Sequence, residues 1–435
     1  VARTHYRVNI ILLLLPKMAP HDIRRPFKRR PISDQQKRRE LSLLRQSQNR
    51  TDAQQRARNL ASSVISLQST SPDVDPEVLS EAEPDLDTGE ESESSSFDVR
   101  QASRLRGPEA RKWFARQLML PEWMIDVPDN LSLDWYVLAR PAGKRCFVVS
   151  SDGTTVSRLR NGSVLHHFPS ALPGGARKKG TSGPAQSYSI LDCIFHELDQ
   201  TYYVIDMVCW RGYSLYECTA ECRIFLMQSK LAETGACDPP SFYHKFRFSA
   251  VPFYNCDQSG LHSAYTGSLP YVKDGLLFYN KHAHYHTGNT PLVLIWKDEK
   301  CSQYVIDTDN NGQVPEKQYI VLELQDDGKL VTSDDPPIPF NSLNVDFVQQ
   351  SGLSSGSLIR FAIGDGGLNC VDGRFEKADL QYVSVSNRAR AFADSYSKIM
   401  FQYMARHSPL KVEDLASMIS HENQQDKPLE VEMSD

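Results

Sequence analysis

Apolar side chains are sparse along the first hundred residues, and one ordered pattern stands out among them. Ser33, with Gln36 three residues on, reads as a helix start after Pro31, and Leu41, Leu44, Ala53, Ala57 and Leu60 follow at roughly helical intervals. From Trp113 onward the pattern changes to short aromatic and β-branched runs at 135–139, 145–150, 202–208 and 276–279, which predict strands. Breaks at Gly143, Gly153, Gly174–Gly175 and Gly288 separate these runs, and helical pieces are predicted over 110–120 and 223–231. Further strands are predicted at 318–324 and 357–363. A helix is predicted over 387–407, where Ala389, Phe392, Tyr396, Ile399 and Tyr403 recur at three- and four-residue steps and call for a packing partner. The sum is an α+β chain with a mixed, largely antiparallel sheet core.

Charge divides the polar N-terminal third. The formal net charge of -5 hides a segment, 19–60, with twelve Lys or Arg against Asp22, Asp34, Glu40 and Asp52, and a segment, 71–99, with eleven Asp or Glu and no cation. The acidic stretch, filled with Ser and Pro, has too little apolar surface to pack and reads as a disordered linker. The basic helix admits three readings: a solvated tail, a nucleic-acid arm, or a docking helix for an acidic transport receptor. Aromatic residues are nearly absent from it, which argues against a base-stacking arm. Docking is therefore the preferred reading, with Arg24, Arg25, Lys28, Arg29, Arg30, Lys37, Arg38 and Arg39 supplying charge-assisted bonds to the partner's carboxylates.

Other classes are set aside on composition. The apolar run at 10–15 is far too short for the roughly 20 residues that span a bilayer, so no membrane anchor is expected. Nine cysteines are scattered without a C-x-x-C pair, which fits free thiols in a reducing compartment, and neither a metal site nor a cofactor is expected. His282, His284 and His286 alternate, as on one face of an extended strand end, and are read as lying near a pocket mouth rather than as ligands. The resulting organisation is an upstream extension at 1–17, a basic helical segment at 18–66, an acidic linker at 67–100, a folded domain at 101–305 and a C-terminal extension at 306–435 ending in a frayed tail.

Four segments of the folded domain, RPAGKR (140–145), SILDCIFHELDQTYYVIDMVCWRG (189–212), DGLLFY (274–279) and TPLVLIWK (290–297), occur in an informative order. They resemble the motif series of covalent nucleotidyltransferases, the mRNA capping enzymes and ligases. Arg140 stands where that family has its nucleophilic lysine and Ala142 where it has an aspartate. Asp192, Cys193 and Ile194 replace an acidic metal-handling motif, and Ile295 replaces a later lysine. A guanidinium stays protonated and cannot form the phosphoramide bond that a neutral lysine amine forms. A nucleotide pocket without transfer chemistry is expected, and hence a binding module rather than an enzyme.

QLMLPEWMIDVP (117–128), PAGKR (141–145), LPGG (172–175), QTYYVIDMVCWRG (200–212) and DGLLFY, together with the basic helix, closely resemble the snurportins. That family carries spliceosomal small nuclear ribonucleoproteins into the nucleus, binding the trimethylguanosine cap of their RNA and importin β. The resemblance implies an adaptor that shuttles between cytoplasm and nucleus, with a nuclear export receptor as a third partner. Carried over, Trp123 and Trp296 would contact the methylated base, Leu120 would wall its methyl groups, and Lys144, Arg145 and Arg160 would face the triphosphate. An indole face suits a cationic, methylated guanine by dispersion and cation–π attraction. The segment LVLIW is one residue longer here than in animal snurportins; Pro121 stands where those have serine and Arg140 where they have cysteine. The rival readings are an active RNA guanylyltransferase-like enzyme and a general RNA-binding scaffold with a nuclear localisation tail.

Overall fold

Strand-forming runs dominate the middle of the chain, and the computed structural model pairs them into two facing sheets. It describes residues 34–48, 57–58, 60–62, 107–176, 187–309, 311–371, 374–386 and 392–425. Arg24, Arg25, Lys28, Arg29 and Arg30, the extension at 1–17, the linker at 67–100 and the tail lie outside the described residues.

The chain enters through helix α1 (Asp34–Gln48) and helix α2 (Gly107–Phe114). Strands β1 (Met119–Trp123), β2 (Trp135–Pro141), β3 (Lys144–Ser151), β4 (Thr154–Leu159), β5 (Val164–Phe168), β6 (Ser189–His196), β7 (Thr201–Trp210) and β8 (Tyr213–Ser214) follow. Helix α3 (Ala220–Ala232), β9 (Arg247–Ala250), β10 (Tyr254–Asn255), helix α4 (Gln258–Thr266), β11 (Lys273–Asn280) and β12 (Gly288–Trp296) complete the domain. One sheet has the order β1-β12-β11-β2-β10, antiparallel except for the β1–β12 pair, with β1 at its edge. The other runs β5-β4-β3-β6-β7-β8, with β9 added in parallel on β7.

Inner-face residues of both sheets, among them Leu138, Leu277, Phe147, Ile194 and Ile205, share one core. The outer face of the second sheet forms a second core with Met227 and Leu231 of α3. Burial on both faces explains why β6 and β7 do not alternate apolar and polar residues, the interior exceptions being the buried, facing Asp192 and Asp206. A fully buried Arg223–Asp206 ion pair (2.8 Å) ties α3 to β7.

The C-terminal extension is a second folded unit. Strands β13 (Tyr319–Leu324), β14 (Lys329–Val331), β15 (Pro339–Ser342), β16 (Leu358–Val371) and β17 (Arg374–Val385) form an antiparallel sheet ordered β15-β14-β13-β16-β17. Helix α5 (Val345–Ser351) lies between β15 and β16, and α6 (Tyr396–His407) and α7 (Val412–Gln425) close the chain. Tyr396, Ile399 and Met400 of α6 pack on the new sheet, while Phe401 of α6 and Leu415 and Ile419 of α7 enter the first core. The packing partner required by the amphipathic C-terminal helix is thus both sheets at once.

Three predicted elements differ from what is observed. The helix expected over 110–120 stops at Phe114, and Met119 already begins β1, because β12 supplies a parallel partner for that segment. The helix expected from 387 begins only at Tyr396, capped by the Ser395 side chain on the Lys398 amide. The three alternating histidines follow β11 in a turn, not in a strand.

Helix α1, read from the sequence as a docking helix with a thin apolar stripe, packs on the folded domain through its polar side chains. Leu41 and Leu44 are more than half exposed, whereas Gln35, Arg39 and Gln46 are buried. The Gln46 carboxamide donates to the His282 carbonyl (3.1 Å) and accepts from the His284 amide (2.8 Å). A polar face can pack inward here because the Gln35 and Gln46 carboxamides and the terminal nitrogens of Arg39 find specific partners, which offsets most of the desolvation, with Arg39 Nε left without one. Further along, Ala57, Leu60 and Ala61 are buried in the first core.

Candidate functional site

β1 and β12 carry the two candidate tryptophans, and their register separates them. Trp123 pairs with Ile295, so the two side chains share a face of the sheet, and Trp296, one residue on, turns to the other. There it is fully buried and its indole N–H donates to the Leu410 carbonyl (3.0 Å). The physical reason is strand alternation: the neighbour of a residue paired with Trp123 points to the opposite face. In this conformation the structure does not bring Trp296 to the face that presents Trp123.

Trp123 is half-buried. Its ring meets Phe401 of α6 at 4.8 Å between centroids and lies 5.7 Å from the Lys297 ammonium. Lys297 in turn donates to Asp274 (2.5 Å), and Asp274 also pairs with Arg140 and accepts from Ser302 Oγ (2.7 Å). The cluster thus joins the Arg140, Asp274 and Lys297 positions of three of the four motifs around one indole. Burial pulls the Lys297 and Arg140 pKa values below normal, with Asp274 opposing both. Burial pushes Asp274 up, but Arg140 and Lys297 outweigh it and hold its carboxyl below the usual aspartate range.

The glycines kept from the motifs have structural work here. Gly143 sits at φ +141° with the Phe195 carbonyl oxygen 2.3 Å from where a Cβ would be, and Gly275, at φ +97°, has the Trp296 carbonyl oxygen 2.8 Å away. Their presence follows from close backbone approach and is independent of any transfer chemistry.

The remaining candidates are dispersed. Arg145 forms a two-pronged pair with the fully buried Asp192 (3.1 and 2.8 Å) and donates to the Met119 carbonyl (2.6 Å), which ties the second sheet to β1. Burial works against the charged guanidinium, but Asp192 more than offsets this and keeps Arg145 protonated. Asp192 also accepts from Tyr285 (2.8 Å), so the position that resembled a lost metal site is a satisfied buried network. Lys144, on the opposite side of β3, is half exposed and pairs with Glu197 (2.6 Å). Arg160 lies exposed in the β4–β5 turn, 6.0 Å from the Phe392 ring. Leu120 is half-buried opposite Asn289.

Residues missed by the sequence reading complete the site: Lys297, Asp274 and Phe401 around the indole, Ser397, whose Oγ accepts from the Trp123 amide (3.1 Å), and Gln35, which donates to its carbonyl (3.0 Å). Arg140, Asp274 and Lys297 stood within quoted motifs, so that signal was available. Nothing in the sequence placed α6 against β1. Beyond Lys297 opens a cavity of about 370 Å³, with Met124, Phe401, Met404 and Leu410 as apolar lining and Lys300 and Lys411 at its rim. That volume is in the range of small-molecule sites.

The geometry agrees with the comparison against known families. The family model for the Snurportin1 m3G cap-binding domain matches residues 117–298. Residues 117–298 are thus similar to a snurportin cap-binding domain. The matched span runs from just before β1 to just past β12, so the similarity covers the pair of facing sheets and excludes both α1 and the C-terminal unit. Similar solved structures include a mycobacterial DNA ligase D complexed with ATP, 10% identical over 62% of this chain and 95% of that one with a TM-score of 0.29. The ATP-dependent DNA ligase of bacteriophage T7 in complex with ATP is 9% identical over 63% of this chain and 99% of that one, with a TM-score of 0.30. TM-scores this low carry no inference about function, and the ligases' chemistry does not transfer to the snurportin-type domain.

Proposed function

We propose that this chain is a nuclear import adaptor that binds the trimethylguanosine cap of spliceosomal small nuclear RNA and docks on importin β through its basic N-terminal segment, shuttling between cytoplasm and nucleus. The observation that carries the reading is the half-buried Trp123 indole, set in a snurportin-type domain and already holding a cation, Lys297, near its ring. A methylated, cationic guanine has the same charge and would gain dispersion from the indole as well. The net positive segment at 19–60 supports a carboxylate-rich receptor as second partner, and recycling by an export receptor follows from shuttling.

A binding role is favoured over catalysis because Arg140, where a transferase needs a neutral amine, is engaged by Asp274. Titrating trimethylguanosine and monomethylguanosine cap dinucleotides against tryptophan fluorescence, with wild type and Trp123→Ala, tests the cap reading. Tighter binding of the trimethylated cap, lost in the variant, is expected; binding of neither cap overturns it. Pull-down of purified importin β by the whole chain, abolished by reversing the charges at Arg24, Arg25, Lys28, Arg29 and Arg30, tests the second half.

A further inference from the structure

Trp123 is the last residue of an edge strand, so its own N–H and C=O point away from β12 and would face solvent in an isolated domain. Two helices outside the family-matched residues take them instead. Ser397 of α6 accepts from the amide, and Gln35 of α1 donates to the carbonyl. Gln35 is completely buried and uses its whole carboxamide on this stretch. Its nitrogen also reaches Glu122 (2.8 Å), and its oxygen accepts from the Ile125 amide (3.3 Å) and from Arg39 (3.0 Å). The backbone on the C-terminal side of the indole, from the Trp123 carbonyl to the Ile125 amide, is therefore held by one side chain of the basic helix, and the amide on its other side by Ser397.

Charges fix the same contact. Arg38 pairs with Glu122 (2.7 Å), which is 4% exposed, and Arg39 pairs with Asp126 (2.8 Å). Lifting α1 away would leave Glu122 buried without its cation and three backbone or carboxylate groups beside Trp123 without partners. The strand end would shift to recover water, and with it the ring.

We propose that Gln35 is a positioning residue for Trp123, so that the basic helix and the cap site form one energetic unit and drawing α1 onto another partner loosens the hold on the cap. The inference rests on the cap-binding reading above. It follows by linkage that a bound cap raises the cost of lifting α1 by the same factor. A receptor that recruits Arg38 and Arg39 competes with Glu122 and Asp126 for them. Leu41 and Leu44 stay exposed throughout and offer that receptor a first foothold.

The test uses the whole chain and the trimethylguanosine cap dinucleotide. Gln35→Ala is expected to raise the cap Kd about tenfold, the effect of losing one buried hydrogen-bonding group next to the ring. Gln46→Ala, which frees the other end of α1 from the His282 and His284 backbone without touching β1, is expected to stay within about twofold of wild type. Hydrogen exchange read at the Ile125 and Trp123 amides should quicken in Gln35→Ala and hold in Gln46→Ala. Equal losses of affinity in the two variants would reduce Gln35 to general helix packing, and unchanged affinity in Gln35→Ala would overturn the proposal. If wild type binds no cap, the cap reading fails by itself, and the exchange measurement still decides: unaltered amides in Gln35→Ala would sink the positioning role.

Discussion

At the scale of residues, two tryptophans that look equivalent in the sequence occupy opposite faces of one strand pair and should respond to substitution in different ways. Trp296→Ala removes a fully buried indole and its bond to Leu410, and a loss of about 3–5 kcal/mol is expected for such a truncation, measurable by urea unfolding. Trp123→Ala, which removes a half-buried ring from its contact with Phe401, should cost clearly less stability and abolish the cap response. Equal loss of stability in both variants would contradict the assignment of faces. Asp274 gives a pH dependence with a definite sign. Its carboxyl is held below the usual range in the folded protein, so its ion pairs with Arg140 and Lys297 stabilise fully above the ordinary aspartate range and are lost as pH falls through the depressed value. Asp274→Asn should therefore lower the melting temperature at neutral pH, with the gap to wild type narrowing on acidification.

Elements were legible to the extent that their own residues determine them. β7 announces itself because it is buried on both faces, and α3 because its apolar spacing agrees with its packing, whereas β6 was not among the predicted strands. α1 was legible as a helix, but not in the face it packs. Leu41 and Leu44 suggest a downward apolar stripe, while the face that packs is Gln35, Arg39 and Gln46, whose partners Glu122, Asp126 and the His282–His284 backbone are remote in sequence. Long-range polar complementarity has no periodicity, so pattern reading cannot find it. The same limit hid Phe401 and Ser397 from the site. Because the α1 contact is largely ionic and amide-based, Glu122→Ala with Asp126→Ala should release the helix. Limited trypsin digestion should then cut after Arg38, Arg39 or Arg45 at a markedly higher rate than in wild type, and unchanged protection would show that Gln35 and Gln46 hold α1 without the ion pairs.

The whole molecule is organised around an edge that its central domain does not cover alone. α1 and α6, from opposite ends of the chain, meet at β1, and the cation cluster of Arg140 and Lys297 lies on the sheet beside it. Under this arrangement Arg140 serves as a counter-charge to Asp274. Incubation with labelled GTP and Mg²⁺ followed by a denaturing gel should show no covalent adduct, in contrast to the expectation for a transferase. Substituting Arg140→Lys alone should not create one, since Ala142 and Ile194 supply no acidic groups for the metal.

Glu422, near the end of α7, caps the single helical turn Leu131–Asp134 by accepting from the amides of Leu131 and Ser132 and from the Ser132 hydroxyl (2.7–2.9 Å). A ribosome delivers that carboxylate some 290 residues after the turn it caps. The facing sheets can assemble early in synthesis, but the seat of Trp123 stays open until α6 and α7 have emerged. A chain interrupted before Tyr396 would thus carry the facing sheets without the helix that closes over Trp123, so the order of synthesis puts the completion of this seat after the completion of the sheets.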